Sequence, residues 1–130
     1  MARTTSEVLD ELYEAFNAAD GAVLDRLFHP DAVMVIPGST QISGTYRGKA
    51  EIFEAFARMA QITGGTSRAE VRRVAIDEVG AVVIAVDHAM RHGEPVTAEF
   101  ADVFTVRDGV VTELRFFPAD AEEMAYFWRT

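Results

Sequence analysis

Cysteine is absent from the 130 residues, which excludes disulfide bridges, thiolate metal ligands and cysteine nucleophiles. Basic residues are scarce: 12 Lys and Arg stand against 21 Asp and Glu, a net charge of −9. That balance lacks the basic footprint that nucleic acid or an anionic membrane requires, so neither is expected as a partner. No apolar run approaches the ~18 residues of a membrane span. The opening MARTTSEVLDE carries acidic residues where a signal peptide needs an apolar stretch, and the cytoplasm is the expected location. His29, His88 and His92 have neither i,i+4 spacing nor an acidic ligand motif, so no metal site is expected. No Gly-x-Ser-x-Gly elbow is present, and Gly44–Ala50 falls one residue short of a phosphate loop and ends in Ala. What is there is an ordinary globular mixture, 49% hydrophobic and 25% charged, in a length that suits one domain over residues 1–130.

Thr4 stands three residues before Glu7, a capping-box spacing, and the apolar stripe Val8, Leu9, Leu12, Tyr13, Phe16 and Ala19 follows at helical steps. Asp20-Gly21 breaks that helix, and Ala22–Phe28 reads as a short second one, ended by His29-Pro30. Ala32–Ile36 reads as a strand and Gly38–Gly48 as loop, before a helix over Lys49–Gln61. From Arg68 the pattern changes to four strands, Arg68–Asp77, Ala81–Arg91, Pro95–Arg107 and Val110–Phe117, joined by gaps short enough for antiparallel hairpins. Asp120 and Glu123 suit the start of a last helix bearing Met124 and Trp128. Helices segregated to one face of an antiparallel sheet make the class α+β. The strands Ala81–Arg91 and Pro95–Arg107 are apolar on both faces. One face packs on the chain's own helices, and the other is expected to meet a second copy of the sheet in a homodimer.

The order of elements resembles the SnoaL-like branch of the nuclear transport factor 2 and ketosteroid isomerase superfamily. The resemblance rests on the first helix leading to Asp20, His29-Pro30-Asp31-Ala32-Val33 entering a strand, and Gly44-Thr45-Tyr46-Arg47-Gly48 ahead of Ile52 and Phe53. It continues with Asp102-Val103-Phe104 and Asp108-Gly109-Val110 through Phe117. It implies an NTF2-like (cystatin-like) cone, a curved, mostly antiparallel sheet wrapped around a long N-terminal helix and a deep pocket. The fold hosts isomerases, cyclases, dehydratases, epoxide hydrolases and non-enzymatic binders, so it names no reaction.

Asp102 interrupts the apolar face Val96, Ala98, Phe100, Phe104 and Val106, and aspartate is a poor strand former. On the concave side it is a carboxyl group in an apolar pocket, with a raised pKa. The resemblance puts it where ketosteroid isomerases carry the acidic member of their oxyanion hole, an enzyme that is itself a standard example of a neutral catalytic acid. The structural alternative is a buried aspartate satisfied by Tyr, Arg or backbone donors. The isomerase's base does not carry over, because Ile36 precedes Pro37 where that family has an aspartate; Tyr13 lies one residue from the position of its tyrosine.

Asp87 and His88 point to opposite faces of one strand. A two-residue turn at Gly93-Glu94 pairs Asp87 with Phe100 and puts it on the pocket face that carries Asp102, whereas a three-residue turn offers His88 as the pocket base. Asp120 lies where some SnoaL-type cyclases place an acid/base aspartate, against a capping role with Glu123. A type I turn with a glycine bulge at Val106–Gly109 sets Leu114 and Phe116 inside and Glu113 and Arg115 outside. The expected walls are Met34, Ile36, Tyr46, Phe53, Phe56, Phe100, Phe104, Leu114 and Phe116. The reading is a cofactor-independent enzyme acting by proton transfer on a small apolar organic molecule, with Asp102, Asp87 or His88, Tyr13 and Asp120 as candidate catalytic groups. The alternative is a binder or dimeric scaffold using the same pocket.

Overall fold

The computed structural model describes residues 3–130. Its elements run α1 (Thr5–Asn17), α2 (Gly21–Leu27), β1 (Phe28–Ile36), β2 (Gly44–Arg47), α3 (Lys49–Ile62), β3 (Arg68–Ile76), β4 (Gly80–Arg91), β5 (Glu94–Arg107), β6 (Val110–Pro118) and α4 (Ala121–Phe127). The six strands form one mixed sheet in the order β2-β1-β6-β5-β4-β3, antiparallel except where β1 runs parallel to β6. No described helix is long and apolar enough to cross a membrane.

Thr4 and Glu7 close the capping box: Thr4 Oγ1 accepts from the Glu7 amide at 3.2 Å, and Glu7 Oε1 accepts from the Thr4 amide at 2.9 Å. Two helix-end donors are satisfied, and α1 turns Val8, Leu9, Leu12 and Ala15 into the core. The same core takes Leu27 and Phe28, Met34 and Ile52, and the inward faces of β4, β5 and β6.

The hairpin β4–β5 turns on His92-Gly93, with φ of 51° and 80°, and β5–β6 on Asp108-Gly109, with φ of 51° and 78°. Two consecutive left-handed residues are the type I′ signature, whose twist matches the strands it joins. Asp87 therefore faces Ala98, and His88 faces Thr97, two residues from the register expected around Gly93-Glu94. Because side chains alternate with period two, that slip leaves every residue on its expected face. The β5–β6 turn is likewise tighter than the expected type I turn with a bulge. The extra residue is Thr112, which has no partner between the pairs Val106–Val111 and Thr105–Glu113. Leu114 ends up buried, and Arg115 lies outside, paired with Glu113 at 2.6 Å.

Two segments differ from the sequence expectation. Gly44–Arg47, read as loop, is the edge strand β2, paired with Val33–Ile36; its backbone satisfies β1 although its side chains are mostly exposed, so no apolar alternation marks it. β1 begins at Phe28 rather than Ala32, and its register against β6 shifts between Phe28 and Val33. The irregular stretch contains Pro30, which has no amide to give a ladder.

Candidate functional site

The even-numbered side chains of β5 and the odd-numbered side chains of β4 share the concave face of the sheet. Asp102 and Asp87 belong to those two sets, and both line a cavity that is partly open to solvent. Tyr13 reaches it from α1. Its hydroxyl donates to Asp102 Oδ2 at 2.6 Å, and its ring stands edge-on to Phe104 at 6.1 Å. Asp102 is 5% exposed, and its second oxygen, Oδ1, is buried without a hydrogen-bond partner.

The electrostatics follow from this geometry. Burial disfavours the charged form of Asp102 and pushes its pKa up to about 7, against a smaller downward pull from the Tyr13 hydroxyl. Asp87 is raised well above an ordinary aspartate, first by burial and then by the charge of Asp102, with no hydrogen bond to relieve it. The Tyr13 hydroxyl is pushed far up by burial and by the two carboxyls, so it stays a donor. Two carboxyls that interact this way titrate as a pair. Both are held toward their protonated forms by burial.

The walls are apolar. Ile36 from β1, Phe56 from α3, Phe100 and Phe104 from β5, and Leu114 and Phe116 from β6 line the cavity as their sequence positions suggested. Ile36 stands at the end of β1 as an inert wall. Phe16 and Phe56 meet edge-on at 5.7 Å, as do Phe100 and Phe116 at 6.2 Å.

Other candidates lie elsewhere. His88 is on the outer face, with Nε2 2.9 Å from Glu70 Oε1, because parity on β4 gives the inner face to Asp87. Asp120 caps α4, its Oδ1 accepting from the amides of Glu122 at 2.8 Å and Glu123 at 3.2 Å, and it does not line the cavity. Met34 is fully buried in the core, while Phe53 packs edge-on to Phe28 at 5.9 Å; neither lines the cavity. Tyr46 anchors its loop by donating to the Ile42 carbonyl at 2.5 Å and is also absent from the lining.

Leu12, Phe16, Ile42, Met59, Ser67, Ala69, Met124 and Trp128 complete the lining without having been singled out for it. Met124 comes from α4 and Trp128 is the residue that caps its C-terminus. The buried Arg91 donates to the carbonyls of Phe127 and Arg129, and Gln41 Nε2 donates to that of Trp128 at 3.1 Å, holding the segment over the cavity. Ile42, an apolar residue inside a polar loop, was the signal available for this closure.

Among the described residues no group of three or more His, Asp or Glu side chains comes together to hold a metal ion. The chemistry on offer is a hydrogen-bond donor set, Tyr13 with the two carboxyls, buried in an apolar chamber.

The sequence profile of the SnoaL-like domain matches residues 9–114. A solved structure, Bal32a from a soil-derived mobile gene cassette, is 31% identical with a TM-score of 0.91 over 96% of each chain. TerC, crystallised with polyporic acid, is 25% identical with a TM-score of 0.85 over 97% of this chain and 98% of its own. An uncharacterized protein of Mycobacterium tuberculosis is 27% identical over 94% of both chains.

Proposed function

The chain belongs to the SnoaL-like domain family, and on that premise we propose that it is a cofactor-independent enzyme that moves protons on a small, largely apolar molecule bearing a carbonyl oxygen. The observation that carries this reading is Asp102 Oδ1, a buried and unpartnered oxygen on a residue that lines the cavity. With Oδ2 engaged by Tyr13, the proton of a neutral Asp102 belongs on Oδ1, which no protein group accepts from and which is proposed to serve the ligand. A carbonyl oxygen accepting it becomes more electron-poor and its neighbouring C–H more acidic. Asp87, the second carboxyl lining the cavity, is the group proposed to take that proton or return it. Isomerisation, cyclisation, dehydration and epoxide opening all draw on this arrangement. TerC with its polyporic acid supports a ligand-binding use of the fold.

The test needs no knowledge of the natural substrate. In D₂O, NMR follows exchange of the α-protons of a neutral aromatic ketone such as 2-tetralone. The reading expects exchange accelerated by the protein and lost in Asp102→Asn. Ketone binding without acceleration would favour the second reading, a non-catalytic binder, which Ile36 at the end of β1 supports by offering no base.

The chain is further proposed to act as one domain, in the cytoplasm, as a homodimer. The outer sheet face supports dimerisation: Val82 and Phe117 are exposed there, with Ile84, Val86 and Val103 half-buried beside Val82. Sedimentation that finds only monomer at micromolar concentration would remove the dimer.

A further inference from the structure

Two carboxyl groups face the cavity, and no lysine, arginine or histidine lines it. The titratable side chains that reach it are Tyr13 from α1, Asp87 from β4 and Asp102 from β5; α3, β6 and α4 contribute none. A buried carboxylate without a cation is unfavourable, and a protein answers it either by keeping the group protonated or by supplying a positive charge. Here the protein supplies none. Asp102 Oδ1 is buried with no partner, on a residue that is only 5% exposed.

The remaining walls suit a cation as well as a neutral molecule. Aromatic rings are supplied by Tyr13, Phe16, Phe56, Phe100, Phe104 and Trp128 among others, and the faces of such rings attract ammonium groups. The net charge of −9 draws cations toward the protein before contact.

We infer that this cavity binds hydrophobic primary ammonium ions, with the charged nitrogen at the carboxyl of Asp102, whose Oδ1 has no partner, and the apolar body against the aromatic walls. The inference rests on the cavity being a ligand site, as in the proposed function, and adds a class of ligand that a proton-transfer role does not require. On binding, the ammonium stays protonated. A neutral carboxyl loses its proton to the solvent and becomes the carboxylate partner of the cation, so binding releases one proton per ion pair formed.

The experiment is calorimetric titration at about pH 6, below the pKa of about 7 at which Asp102 loses its proton, using 2-phenylethylammonium and its neutral isostere 2-phenylethanol. Running it in two buffers of different ionisation enthalpy counts the protons released. The inference expects the ammonium to bind at least roughly tenfold more tightly than the alcohol, with release of close to one proton. The alcohol should release none. The variant Asp102→Asn should erase the preference and the proton release, and Asp87→Asn should weaken the preference. Equal affinities, or ammonium binding without proton release, overturn the inference even if the variants fail to fold, because both are read on the parent protein. If the alcohol binds and 2-tetralone exchanges its protons while the ammonium is rejected, this inference falls and the proposed function stands. If no probe binds, both fall.

Discussion

Replacing Asp102 with asparagine should make the protein more stable at alkaline pH and leave it unchanged in acid. The substitution is nearly isosteric, and the new side-chain oxygen can still accept from the Tyr13 hydroxyl that now lies 2.6 Å from Oδ2. What it removes is a titration. In the folded protein Asp102 holds its proton up to about pH 7, whereas an ordinary aspartate releases it near 3.8. Between those values the folded chain keeps a proton that the unfolded chain has lost, so stability falls as pH rises through the window and stays low above it. At 1.36 kcal/mol per unit, a shift of about 3 units corresponds to about 4 kcal/mol. The advantage of Asp102→Asn should thus be near zero at about pH 4 and reach a few kcal/mol at about pH 8, a large part of the stability of a small domain. Urea unfolding of both proteins at several pH values measures it directly. An asparagine variant markedly less stable than the parent at pH 8 would refute the reasoning, because it would mean that Asp102 is ionised there and holds a structural contact.

Gly80→Ala should prevent stable folding or disrupt the start of β4, since a Cβ at that position would lie 1.9 Å from the Phe104 carbonyl oxygen; circular dichroism and thermal melting read it. Tyr13→Phe should raise the pKa of Asp102 further, because the lost hydroxyl is the one group pulling it down, and carboxyl-carbon NMR follows that titration. Arg91→Met should free the carbonyls of Phe127 and Arg129 and loosen the segment carrying Trp128. As Trp128 is the only tryptophan, its fluorescence should shift to the red without loss of the rest of the fold.

The class of fold was legible because its signals are local. The capping box at Thr4 and Glu7, the glycine turns at His92-Gly93 and Asp108-Gly109 and the alternation along β5 each act within a few residues. Placing Asp102 on the inner face needed only parity, which survived a register two residues from the one expected. The same parity separates Asp87 from His88, but only once a turn length is known. The parts of the cavity that were not legible depend on distant segments meeting. Nothing in Ala121–Phe127 indicates that Arg91 and Gln41 hold its end over the cavity. Nor does the aromatic pattern of α3 separate Phe56, which lines the cavity, from Phe53, which packs on Phe28. Both are apolar near neighbours on one helix and both rings pack on Phe28, so the local pattern does not tell which of them reaches the cavity. Asp120 shows the opposite problem: its local capping chemistry was legible and is fully used.

The central claim is that Asp102 presents a neutral carboxyl to a ligand oxygen, and the affinity of a neutral ketone as a function of pH tests it most directly. Titrating 2-tetralone into the protein from about pH 5 to pH 9 should give constant affinity below neutrality and a progressive loss above about pH 7 as the donor proton leaves. In Asp102→Asn the affinity should not vary with pH through that range. Parent affinity that is flat with pH, or that strengthens as Asp102 ionises, would contradict the account.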